Sequence, residues 1–231
     1  TATALKGLSA TQMAALDSGH IAGLTAKQAA SLTSAQVATF TTDEVSALSA
    51  TQIASLGYDV FTTFDSAEIA LFSTDEVAAI SDKAIAGLTT ATVASLGTDK
   101  LAALTTKQIA ALSSSQLNAL TSAQLTSLGT DKIAALSAKQ LAGVSTGQIA
   151  GLSTTQVASL GAKQIAAFTT AQAAALSTAQ VEALTSSQVA ALGAAALKTI
   201  DSAELALFST SELAAISDKA IAGLDSAALA S

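Results

Sequence analysis

His20 is the single histidine of this 231-residue chain, and any reaction needing a proton carrier near neutral pH would have to run through it. No Cys accompanies it, and none of the many Ser and Thr hydroxyls has an adjacent general base, so nucleophilic catalysis has no constellation to work from. Acidic side chains gather at Asp43–Glu44, Asp59, Asp65 with Glu68, and Asp75–Glu76. Clusters of this kind can hold calcium, yet neither an EF-hand loop nor a glycine-rich Asp nonapeptide is present. Lys100 and Lys132, each in a GTDK tetrapeptide, read as solvated charges, and Tyr58 as surface or patch packing. No glycine-rich phosphate loop occurs. The residues therefore predict no enzyme, no catalytic side chain, no cofactor and no metal.

Charge and hydropathy narrow the partners. Ten basic against seventeen acidic side chains leave a net charge of −7 with no basic cluster, so nucleic-acid binding is not expected. Polar residues interrupt every stretch that could approach the roughly 18 apolar residues of a transmembrane helix. Without Cys there are no disulfides and no zinc–thiolate sites. A chain that begins at Thr1 with no visible signal peptide reads as a processed product or a segment of something longer.

The positions of the acids and of His20 make sense once the repeat is seen. From Leu8, a step of eight reaches Leu16, Leu24, Leu32, Phe40 and onward to Leu224, always Leu, Ile, Val or Phe. Ser, Thr, Asp or Gly follows each of these, and three residues later comes mostly Gln or Glu. The unit is Ser/Thr-x-x-Gln-Ile/Val/Leu-Ala-small-Leu. A hydroxyl followed at that spacing by Gln is a capping box, and the apolar residues on either side form a hydrophobic staple. Asp43, Glu44, Asp75 and Glu76 thus fall in first turns, where acids favour the positive helix end, and His20 occupies a Gln position. Each octad predicts a helix of about 1.5–2 turns followed by a change of direction. Helices this short persist only by stacking, so the fold class is all-α, an α-solenoid running as a single array over 1–231. One continuous helix is excluded because a period of eight drifts about 80° per repeat, and a β-solenoid because period-2 alternation is missing.

A longer period lies above the octad. Residues 65–95 match 201–231 at 24 of 31 positions, an offset of 136 residues or seventeen octads. Glycines 97, 129, 161 and 193 recur every 32 residues, which fits four octads per turn, although two octads per layer fits equally. The tract 57–88 and its copy 193–224 carry larger apolar residues. Phe61, Phe64, Leu71, Phe72, Leu207 and Phe208 read either as a locally larger core or as an apolar contact patch for another chain. On the staple-and-cap reading, Leu112→Ala is expected to weaken the array more than Gln116→Ala.

Runs such as ALTTKQIAALSSSQLNALTSAQL (103–125) and GVSTGQIAGLSTTQVASL (143–160) resemble the Leu-Thr-x-x-Gln-Ile repeats of very large bacterial secreted and cell-surface proteins, often described as adhesin-like or RTX-like. The resemblance implies an extracellular protein, exported by a one-step route and acting as filament, sheath, stalk or matrix through self-association. The alternative reading is a binding module whose groove or apolar patch captures a peptide, glycan or lipid.

Overall fold

A computed structural model describes residues 1–221. The end of the 136-residue copy, with Leu224, lies outside the described residues. Among the described residues each octad forms one helix, from α1 (Ala2–Lys6) to α28 (Asp218–Ile221), each four to six residues long. Four to six residues make about 1.1–1.7 turns, slightly less than the spacing predicts. The octad α14 (Thr106–Ala111) shows why it starts and stops where it does. Thr105 Oγ1 accepts the Gln108 N–H at 3.2 Å, and Gln108 Oε1 accepts the Thr105 N–H at 2.7 Å. At the other end the Leu112 N–H donates to the Ile109 carbonyl at 3.2 Å. Leu112 itself is extended (φ −64°, ψ 142°), which carries the chain out of the helix. No described residue has positive φ, glycines included. The turns pass through an extended N-cap residue, reached from an extended closing residue as at Leu56 and Leu112 or from a right-handed C-cap as at Ala14 and Ala30, and not through a left-handed cap.

The chain forms two compact units, Thr1–Ala119 and the part from Leu120 on. In the first unit each helix packs on the helix three octads later, from α1 on α4 (Ala26–Ala29) to α12 (Thr90–Ala94) on α15 (Ser114–Ala119). The same rule holds in the second unit, from α16 (Ser122–Thr126) on α19 (Thr146–Gly151) to α25 (Ala194–Leu197) on α28. Each unit is thus an α-solenoid. The closing Leu and the apolar residue after Gln fill its interior: Leu101, Ile109, Leu117, Leu125 and Ile133 are fully buried.

Small residues before the closing Leu let turns approach. Gly87 is the tightest case: a Cβ there would stand 2.5 Å from the Tyr58 carbonyl oxygen and 3.2 Å from Phe61 Cβ. Its helix, α11 (Asp82–Ile85), packs on α8 (Tyr58–Phe61). Gly87→Ala is expected to lower stability by about 1–3 kcal/mol, because backbone must move to admit the methyl. Gly147, with nothing within 4 Å of its added Cβ, should gain up to about 1 kcal/mol as Ala inside a helix. Urea unfolding of the two variants checks this; equal midpoints would contradict the close approach at Gly87.

Candidate functional site

The interior Gln side chains do more than cap. Gln108 is 1% exposed. While its Oε1 holds the cap of α14, its Nε2 donates to the carbonyls of Val77 at 3.0 Å and Ile80 at 2.6 Å, four octads earlier. Gln36 and Gln52 repeat the arrangement in the first unit, and Gln172, Gln180 and Gln188 in the second. The physical need is plain. A short helix leaves its last carbonyls without partners, and the closing residue's carbonyl has none within its own octad. A primary amide can accept at one atom and donate at the other, so one buried Gln satisfies the start of its own helix and the end of another. Because helices pack three octads apart and Gln reaches four, each turn takes between three and four octads.

Other residues at this position show what the position asks for. Thr92 donates through its hydroxyl to the Phe64 carbonyl at 3.2 Å. Lys100 is not a solvated charge: its Nζ donates to the carbonyls of Ile69 at 3.0 Å and Ala70 at 2.6 Å. Burial lowers its pKa from 10.5, opposed by Glu76. Between that lowered value and the ordinary one, the unfolded chain holds the proton more tightly, so stability rises with pH across that window. Lys100→Gln should remove this rise and add about 0.5–1.5 kcal/mol at neutral pH by supplying an acceptor for the Gly97 N–H. Urea midpoints at neutral and alkaline pH test both parts, and a steeper pH response in the variant would contradict them. His20 lies in an early octad and stays exposed. The Asp17 carboxylate accepts the His20 N–H at 2.8 Å and stands 2.6 Å from ring Nδ1. Bonding to the His20 backbone, then to its ring, lowers the pKa of Asp17. This is a capping box with imidazole in place of the amide.

The larger apolar residues divide. Phe61, Phe64 and Phe72 lie in the interior of the first unit, between 0% and 2% exposed. Their rings form a chain: Phe61 to Phe64 with centroids 5.4 Å apart, and Phe64 to Phe72 at 5.5 Å, edge to face. Phe208 is likewise buried in the second unit. Leu71 and Leu207, equivalent positions of the 136-residue copies, are each 41% exposed. The six residues thus comprise four core aromatics and two surface leucines. A cleft of about 540 Å³ opens in the first unit, lined by Leu32, Thr33 and Ser34 opposite Gly57, Asp59 and Val60. Among the described residues no three His, Cys, Asp or Glu side chains are grouped to hold a metal, and no helix is long and apolar enough to cross a membrane.

The family model described as the ALTTAQ repeat matches four times, at residues 77–114, 93–130, 133–170 and 163–194, which together cover half of the chain. No curated protein matches it. The matched stretches carry most of the Gln residues that bond between turns, while much of the Phe-bearing tract precedes them.

Proposed function

This chain belongs to the ALTTAQ repeat family, and we propose that it serves as a structural protein, part of a bacterial extracellular filament, sheath or adhesin stalk built by stacking helical octads. One observation carries the reading. The Gln amides of one turn satisfy the helix-end carbonyls of an earlier turn, so along most of the array a turn is completed by the one that follows it. A unit of this kind sets no limit on the number of turns and can extend from one copy to the next. The extracellular, bacterial setting is supported by the resemblance of the octads to those of large secreted and surface proteins. The role is mechanical, with no reaction assigned to any side chain. Small-angle scattering of the purified chain and negative-stain microscopy of concentrated samples test it. A rod, or end-to-end fibres, is expected; a compact sphere with no tendency to associate would overturn the reading.

The exposure of Leu71 and Leu207 at equivalent positions favours a second reading, a binding module. The informative substitutions are Leu71→Ser and Leu207→Ser, because Phe64 and Phe72 are core residues whose loss would disturb folding. Binding to a glycan array or to lipid vesicles that disappears in this double variant, with its fold intact, would support the module. Binding absent in both proteins would retire it.

A further inference from the structure

Beyond a single gap at Glu44, the bonding between turns is interrupted twice over four successive octads. In octads 57–88 the Gln position holds Val60, Glu68, Glu76 and Ala84, and in the copy Ala196, Glu204, Glu212 and Ala220. None of the eight is an amide, and neither an alkyl group nor a carboxylate can donate a hydrogen bond to a carbonyl. The consequence is visible on one face only. Thr92, Lys100, Gln108 and Gln116 all donate back into 57–88, so its later face is bonded to the following turn. Towards the earlier turn, 25–56, no hydrogen bond crosses, and the carbonyls of Leu32, Phe40, Leu48 and Leu56 receive no donor from the protein. In the second unit none crosses from 193–221 to 161–192 among the described residues. What remains at these contacts is apolar packing, such as α7 (Ala50–Ser55) against α10 (Thr74–Ala79), and it is non-directional. The cleft of about 540 Å³ beside Val60 lies at the first contact.

The geometry points to a joint at each of these contacts: a turn boundary, recurring after 136 residues, where the coil opens or pivots before it does elsewhere. Packing holds the two turns together, while the directional bonds that would fix their angle are left out. The larger aromatic core in the tract keeps the turn itself intact while its contact with the earlier turn stays free to part.

Hydrogen exchange read by mass spectrometry on the full chain tests the joint. Amides of α8, α9 (Ser66–Leu71) and α10 should exchange about tenfold faster than those of α18 (Ala138–Ala142), α19 and α20 (Thr154–Ala158), which lie among bonded turns. The combined substitution Val60→Gln, Glu68→Gln, Glu76→Gln and Ala84→Gln should erase the difference. Should that variant fail to fold, the converse change is decisive: Gln172→Ala with Gln180→Ala and Gln188→Ala should create a new fast-exchanging contact with α18–α20. Equal exchange of the two groups in the natural chain would overturn the joint. So would unchanged fast exchange in the folded Gln variant, or no acceleration in the Ala variant.

Discussion

Replacing Gln108 with Ala is expected to lower the unfolding free energy by about 2–4 kcal/mol, against about 1 kcal/mol or less for Gln12→Ala. The two side chains cap their helices alike, Gln12 accepting the Ser9 N–H at 2.9 Å. Gln12 is exposed and belongs to an octad with no earlier turn beneath it in this chain. Gln108 is buried, and its removal leaves the Thr105 N–H without an acceptor and the Ile80 carbonyl without a donor. Each buried group stranded in this way costs about 1–3 kcal/mol. The Val77 carbonyl is spared because the Ile80 N–H also reaches it. Gln108→Glu isolates the second bond: it keeps the cap acceptor and loses the donor, so it should be at least as damaging as Ala. Urea denaturation of the three variants settles the matter, and equal small losses would mean that bonding between turns contributes nothing. The same reasoning revises the ranking drawn from the repeat alone. Gln116 donates to the Leu88 carbonyl at 2.6 Å, so Gln116→Ala should approach the cost of Leu112→Ala, about 2–5 kcal/mol.

Phe64→Ala is expected to cost about 3–5 kcal/mol, the range for a large side chain removed from a close-packed core. Phe64 is 1% exposed and its ring lies between those of Phe61 and Phe72, so truncation opens a void that two neighbours line. Phe64→Leu should cost less, about 1.5 kcal/mol, since most of the volume is retained. Leu71→Ala, seven residues on, should stay within about 0.5 kcal/mol of the natural chain. Thermal unfolding of the three proteins checks the order. A loss at Leu71 matching that at Phe64 would contradict the division between core aromatics and surface leucines.

That division was within reach of the sequence. Phe64, Phe72 and Phe208 stand at the closing position of the octad, where Leu elsewhere faces inward, so their period already assigned them to the interior. Leu71 and Leu207 break the pattern by standing one place earlier, where Ala, Ser or Gly is usual. Caps, staples and the all-α solenoid followed from local spacing in the same way. The second bond of Gln did not, because every octad offers the same carbonyls and nothing local says which turn lies alongside. The Lys100 contact was hidden for the same reason, since its partners Ile69 and Ala70 lie 31 and 30 residues away.

The junctions between helices hold a lesson about inheritance. Among the described residues they use only extended and right-handed helical backbone, and no corner is turned by a left-handed glycine. The octad therefore has no specialised loop to lose, and each can stand in for most others. Recombination between copies that adds or deletes whole octads should leave every cap and most inter-turn bonds in phase, whereas any other insertion would put all later residues out of step. Length in such a chain is then a trait that can drift or be selected freely, much as the number of links in a chain can change without redesigning the link.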